Sequence, residues 1–391
     1  MQMNYKAVIL KRGKEESLRR FHPWVFSGAI QRADDGIEEG EKVRVLTENG
    51  DFIAVGHAQA GSIAVRVLSF SDVAIDDAFW EQRLCSALQM RVAIGHNADS
   101  AFRLVHGEGD NLPGLIIDCY GQTAVMQAHS IGMHLDRFDI ARALVNVSEG
   151  RIAHIYYKSE TTLPFMEPTN GFLYGGTSEN IAMENGLRFR IDWLKGQKTG
   201  FFIDQRDNRL LLQHYAQGRS VLNMFCYTGG FSVYAMRGGA KLVHSVDSSA
   251  KAIELTRQNV ELNFPGDARH EAFCEDAFKY LESQPKGAYD LIVLDPPAFA
   301  KHRGALHNAL KGYTRLNMKG FQAIRPGGIL FTFSCSQVVT KDHFRNAVFT
   351  AAAQARRNVR ILHQLHQPAD HPINIYHPEG EYLKGLVLYV E

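Results

Sequence analysis

The hydrophobic pattern changes character along the chain. Before residue 70 the apolar runs are short: 7–10, 42–46, 52–58 and 63–68, with turn signals such as Asn49-Gly50-Asp51 and Ala60-Gly61-Ser62 between them. Short strands broken by turns predict a small barrel or folded sheet. Over 75–94, Phe79, Leu84, Leu88 and Val92 recur at roughly helical spacing. Extended runs over 101–105, 115–119 and 123–128 follow, then a helical pattern over 132–147 and a strand over 154–158, so this middle stretch reads as α+β. The segment 161–176 is rich in Pro, Gly and Thr and marks a join. The division expected is 1–71, 72–178 and 179–391.

The last part carries the strongest pattern. An alternating stretch over 181–193 holds the turn signal Asn185-Gly186 and predicts a hairpin. An apolar run over 221–225 leads into Cys226-Tyr227-Thr228-Gly229-Gly230, a helix over 231–237 stopped by Gly238-Gly239, and a second apolar run ending on Asp247. Strand, glycine turn, helix, strand, acid is the first half of a nucleotide-binding βαβ unit. A third run ends near Asp276. A fourth, 289–294, ends in Asp295-Pro296-Pro297, and a later one, 328–333, ends in Ser334-Cys335-Ser336. The fold class is α/β, and polar residues recur at strand carboxyl ends, where open sheets bind ligands. Glycines in the turn permit close backbone approach. The G-x-G-x-x-G spacing and the G-x-x-x-x-G-K-[ST] cradle are both missing. The C-terminal stretch predicts a helix and a closing strand over 385–390. His363, His366, His371 and His377 lack metal-ligand spacing and read as surface or RNA-facing, with no metal.

Bulk properties narrow the classes. With 391 residues the chain is too long for one core. Its 45% hydrophobic and 22% charged residues suit a soluble protein, and no apolar run approaches the roughly 18–20 residues of a membrane span. The N-terminus has no signal-peptide apolar core. Five scattered cysteines, without zinc or redox spacing, suit a reducing cytoplasm. Net charge is only +1, so any nucleic-acid surface must be local. One candidate is the basic cluster from Lys6 to Arg20, with six Lys/Arg against two Glu, followed by the aromatics of Phe21-His22-Pro23-Trp24. Such a cluster suits phosphates and stacked bases.

The order FCYTGGFS, Asp247, Asp276, LDPPAF and SCS resembles the class I S-adenosylmethionine-dependent methyltransferases. More narrowly, it is similar to the bacterial 23S ribosomal RNA cytosine-5 methyltransferases that carry an N-terminal PUA domain. HPWVFSGAI, GEKVRVLTENGDFIAVGHA and SIAVRVLSF look like that RNA-binding module. The resemblance covers essentially the whole chain. It implies a Rossmann-like methyltransferase domain behind a small β PUA domain and an α+β middle domain, with S-adenosylmethionine as cofactor. Cofactor contacts fall on Asp204 and Gln205 of the TGFFIDQR stretch, Phe225, Tyr227, Thr228, Gly229, Gly230, Asp247, Ser248, Asp276, Ala277 and Asp295. For Asp204, capping of the following helix stands as the structural alternative. RNA contacts fall on Arg12, Lys14, Arg19, Arg20, His22 and Trp24.

Catalysis falls on Cys335 and Asp295. A thiolate adding to C6 of cytosine makes C5 enamine-like, and an acid at N3 eases the addition. Many cytosine-5 RNA methyltransferases carry a second cysteine in a Pro-Cys after the fourth strand, where this chain has Pro296-Pro297. The single-cysteine arrangement matches the narrower family. Asp-Pro-Pro alone would suggest methylation of an exocyclic amine, although an extra residue precedes Phe299. A non-catalytic RNA-binding assembly factor is the other alternative. Arg103, Glu108 and Asp110 either line a substrate channel or fix a loop. No membrane partner is expected, and a homodimer is left open.

Overall fold

A computed structural model describes residues 5–96, 101–163, 170–176, 180–300 and 302–391. Of the join at 161–176, residues 164–169 lie outside the described residues. The chain forms two compact units. The first comprises Met1–Met183, Asp192–Phe201 and Ala369–Gly380; the second comprises Glu184–Ile191, Phe202–Pro368 and Glu381–Glu391.

The first unit holds two sheets. Six strands lie in the order Trp24–Phe26, Ile63–Ser69, Phe52–Ala58, Lys42–Leu46, Lys6–Leu10, Ile30–Ala33. Their alternating inward residues, Val8, Leu10, Val43, Val45, Val65 and Val67, fill one core. The other sheet runs Gly171–Tyr174, His154–Tyr157, Thr123–Ala128, Leu115–Tyr120, Ala101–His106 and shares a core with helices Asp77–Ala93 and Arg137–Ser148. Asp76 caps the first of these helices, accepting from Phe79 N. Strands Trp24–Phe26 and Ile30–Ala33 escaped the sequence reading. Both are too short for a period-2 pattern.

The strands Ile181–Glu184 and Leu187–Arg190 pair across Asn185 and Gly186, both at positive φ (+50° and +80°), as a primed hairpin turn demands. In the second unit the sheet has seven strands: β1 (Ser220–Met224), β2 (Leu242–Asp247), β3 (His270–Cys274), β4 (Tyr289–Leu294), β5 (Ile324–Ser334), β6 (Val359–Leu365) and β7 (Lys384–Val390). Their order is β3-β2-β1-β4-β5-β7-β6. The first five are mutually parallel, and β7 runs antiparallel to both β5 and β6. β1 is buried along its whole length, as a strand covered on both faces must be. β5 begins four residues earlier than expected, at Ile324. Its pairing with β4 is irregular between Tyr289 and Leu291, and Pro326, which has no N–H to give, lies in the stretch of β5 opposite. β6 was missed because an edge strand tolerates polar positions on both faces, and VRILHQL shows no clean alternation.

Candidate active site

Because β1 to β5 run parallel, their carboxyl ends share one rim of the sheet. Read across the sheet, that rim carries Asp276 after β3, Asp247 on β2, the turn after β1, Asp295 after β4 and Cys335 after β5. The rim assembles what the sequence had scattered over more than a hundred residues. Asp247 and Asp295 are half-buried, Asp276 is exposed and Cys335 is intermediate.

The turn after β1 is tightly wound. Phe225 (φ +60°), Tyr227 (φ +46°) and Gly229 (φ +77°) all adopt left-handed backbone, which side chains other than glycine rarely do. Asp247 holds the turn in place: one carboxylate oxygen accepts from Tyr227 N at 3.1 Å, the other from Ser249 N at 2.9 Å. The following helix, Ala250–Asn263, is capped by Ser249, which accepts from Ala252 N. Asp247 is therefore not its cap, and each of its oxygens keeps a lone pair for a ligand. A Cβ on Gly229 would lie 2.7 Å from Thr256 Cγ2, and one on Gly230 would lie 3.0 Å from Arg209 Cδ. The close neighbours are the protein's own atoms. Asp276 caps helix Ala277–Ser283, accepting from Phe278 N and Lys279 N at 3.0 Å. Thr228 and Ala277 are buried, Phe225 and Tyr227 intermediate, and Ser248 exposed.

Asp204 lies just before Gln205, the N-cap of the helix Arg206–Tyr215. It lies in a 3₁₀ turn and accepts from Tyr382 Oη at 2.8 Å. Gln205 donates to Asp295 Oδ2 at 3.0 Å while Asn208 donates to Gln205 Oε1, so the amide is held in one orientation. A buried ion pair braces this stretch. Arg209 reaches Glu184 through Nε (2.8 Å) and Nη2 (2.6 Å) and donates to the Phe202 carbonyl through Nη1. Tyr234 Oη also donates to Glu184. Sequence reading missed Glu184 and Arg209, since a charged residue on an apolar face gives no sign of its partner.

Cys335 sits between two tethers. Ser336 Oγ donates to the Ala300 carbonyl, tying the loop after β5 to the loop after β4. Ser334 Oγ donates to Tyr313 Oη at 2.9 Å. Burial pushes the Tyr313 phenol up to about 12, and the charges of Cys335 and Asp295 act on it in the same direction. Phe299 packs on Tyr313 in a tilted pair, with ring centres 4.6 Å apart. Its ring is half-buried against the core. Burial also raises the thiols of Cys226, to about 12, and Cys119, so both are inert. Cys274, exposed at the end of β3, is separated from Asp295 by β2 and β1.

In the first unit, Arg12, Lys14, Arg19 and Arg20 are exposed. His22 and Trp24 are half-buried. Trp24 Nε1 donates to Glu108 at 2.8 Å, and its ring packs 4.3 Å from that of His377. The exposed rings near them are Phe21, Phe26 and Tyr376. Glu108 also pairs with Arg66, Arg103 is bidentate to Asp118, and Asp110 pairs with Arg91. Arg103 thus joins two paired strands, while Glu108 and Asp110 lie in the short 3₁₀ turn between them. His371 and His377 are buried, contrary to the surface reading; their segment packs within the first unit. Among the described residues no group of three or more His, Cys, Asp or Glu could hold a metal, and no helix is long and apolar enough to cross a membrane.

Residues 165–379 match the family described as S-adenosylmethionine-dependent methyltransferase. The chain belongs to that family. Residues 8–70 of this methyltransferase match the PUA-like domain. It is 41% identical over 394 residues to the ribosomal RNA large subunit methyltransferase I of Aeromonas hydrophila, and 39% identical over 392 residues to that of Alteromonas mediterranea, covering 98% of each chain. Its fold matches a SAM-dependent methyltransferase structure from Streptococcus mutans at a TM-score of 0.84 and 22% identity, over 98% of this chain and 99% of that one. A methyltransferase structure complexed with SAH matches equally well, at 23% identity.

The methyl donor of this methyltransferase is S-adenosylmethionine, and the rim fits it. The donor carries hydroxyl and ammonium groups and no phosphate. The rim presents acceptor carboxylates (Asp247, Asp276, Asp295 and, behind them, Asp204) and no phosphate cradle. A Rossmann-like α/β methyltransferase domain that follows a small N-terminal β domain in the chain was the expected architecture, and it is the one observed.

Proposed function

We propose that the chain methylates C5 of a cytosine in large-subunit (23S) ribosomal RNA, with Cys335 as nucleophile. The observation that carries this reading is the placing of Cys335 and Asp295 at the ends of adjacent parallel strands, with Leu294 paired to Thr332 just behind them. The relatives, ribosomal RNA large subunit methyltransferases, support ribosomal RNA as substrate. In this reading the cofactor's neighbours are Asp204, Gln205, Phe225, Tyr227, Thr228, Gly229, Gly230, Asp247, Ser248, Asp276, Ala277 and Asp295, on or next to the rim of strand carboxyl ends. Asp247 accepts from the ribose hydroxyls, and Asp276 with the Ala277 amide meets the adenine edge.

When bound, S-adenosylmethionine supplies an electrophilic methyl group. The Cys335 thiolate forms an S–C6 bond, which loads electron density onto C5. Asp295, oriented by Gln205 and carrying its carboxyl proton for this step, donates that proton's hydrogen bond to N3 and stabilises the negative charge that builds there. After C5 is methylated, its proton leaves to a base, the 5,6 double bond re-forms and the S–C6 bond breaks to return the thiolate. The target base leaves its stack, at a cost of a few kcal/mol that is least in loops and single strands. The 1–71 segment holds RNA by its backbone through Arg12, Lys14, Arg19 and Arg20, with His22 and Trp24 behind them. Residues 72–178 join it to the methyltransferase part, 179–391, and the enzyme works in the cytoplasm.

The rival use of Asp295-Pro296-Pro297 on an exocyclic amine loses support from Phe299, whose ring packs on Tyr313. Cys335→Ala is expected to keep SAH affinity within about twofold and to abolish methyl transfer. Nucleoside mass spectrometry of RNA treated with each protein reads the product. Residual 5-methylcytidine formation by the variant overturns the nucleophile. An N-methylated nucleoside from the wild type overturns the reaction.

A further inference from the structure

Lys384 is the first residue of β7 and pairs across the sheet with Ser334, the residue before Cys335. It is 5% exposed. Its ammonium donates to the Ser336 carbonyl at 2.6 Å and the Val339 carbonyl at 2.7 Å. Both acceptors belong to the loop that carries Cys335. A buried lysine is uncommon, because the desolvated charge must find compensation. Two carbonyls supply part of it. The charged neighbours supply the rest.

We propose that Lys384 is a positioning residue for Cys335: its ammonium, anchored on the Ser336 and Val339 carbonyls, is the counter-charge that stabilises the Cys335 thiolate. The inference rests on the reading of Cys335 as nucleophile. The step it describes is the loss of the Sγ proton. That proton passes to solvent, or to Lys384 where it stands as the neutral amine. The S–H bond is the one broken, and an ammonium–thiolate pair results.

The groups facing Lys384 support this. Burial pulls its ammonium down to about 8, and the charge of Cys335 is the largest influence opposing that shift, ahead of Glu381. Lys341 acts the other way, but it is paired with Glu381 at 2.5 Å, so the two fields partly cancel. Coupling between two titrating groups is reciprocal. If the thiolate favours the ammonium, the ammonium favours the thiolate by the same amount. Tyr313 feels the charges of both Cys335 and Asp295, and Asp295, when ionised, opposes thiolate formation. A cation on β7 offsets it.

The test is peptide-resolved alkylation of Cys335 by iodoacetamide in the full chain, from pH 5.5 to 9.5. In Lys384→Met the midpoint for thiolate formation is expected to rise by about one unit, slowing alkylation at pH 7 roughly tenfold. Lys384→Arg, permanently charged, is expected to restore the wild-type midpoint. An unchanged midpoint in Lys384→Met with SAH binding intact overturns the pairing and leaves Lys384 a cap on two carbonyls. If Lys384→Met does not fold, the reciprocal measurement decides. In Cys335→Ala, the pH midpoint of Lys384 acylation should fall; no movement overturns the proposal. Alkylation reads the thiol without RNA, so methylation surviving in Cys335→Ala would refute the nucleophile and leave this pairing to be judged separately.

Discussion

Replacing Arg209 with methionine tests the brace behind the rim. Arg209 is 2% exposed and Glu184 is 1% exposed. The substitution removes two charge-assisted bonds to Glu184 and one to the Phe202 carbonyl. It strands a buried carboxylate with Tyr234 Oη at 2.9 Å and Arg206 Nε at 3.8 Å. Breaking one partner of such a pair costs about 3–5 kcal/mol, because the remaining charge stays desolvated. For a unit of this size, each kcal/mol lowers Tm by about 2–4 °C, so a fall of roughly 6–20 °C is expected. Calorimetry of the full chain reads it, and titration with SAH should show weaker binding, since Phe202 precedes Asp204 and Gln205. The double variant Glu184→Leu/Arg209→Met should recover part of the lost stability, because the stranded carboxylate is gone while the buried Arg206 loses only a 3.8 Å partner. A loss below about 1 kcal/mol in Arg209→Met, or a double variant as unstable as the two single changes added together, would refute this account.

Gly229→Ala forces a Cβ into left-handed backbone and to 2.7 Å from Thr256 Cγ2. It should cost more than about 1 kcal/mol and weaken SAH binding. Thr256→Ser in the same chain should recover the steric part only, and full recovery would show that the positive φ costs nothing. Asp295→Asn should lower methyl transfer at least tenfold, measured with RNA substrate at saturating S-adenosylmethionine; unchanged turnover would remove Asp295 from the reaction. His270, bonded to Ser245 Oγ, is pulled down to about 4 by burial first, then by His244 and Arg257. Its unfolded value is about 6.5, so the unfolded chain binds the extra proton across that window. Stability is then complete above about pH 6.5 and lost as pH falls toward 4. Tm should drop from pH 7 to pH 5, less steeply in His270→Gln, and an equal slope in both proteins would count against the assignment.

Much of the site could be read from local sequence because it lies at strand ends. Asp247, Asp295 and Cys335 each close an apolar run, and a run that stops at a polar residue shows where a parallel strand meets the ligand-binding edge. Lys384 could not be read this way. It opens a strand, and its partners are carbonyls 45 and 48 residues away. Glu184 and Arg209 sit 25 residues apart and meet only through packing. His371 and His377 read as surface residues from composition, yet both side chains are buried, on a segment that belongs to the first unit.

The order of apolar and polar residues by itself determined an α/β sheet with acids along one edge and a small β domain before it, since side-chain period and turn chemistry act over a few neighbouring residues. The backbone winding at Phe225 and Tyr227, the brace under Gln205 and the cation beside Cys335 were decided only by the tertiary structure. Each depends on a desolvated contact between distant segments, and burial is a property of the assembled fold.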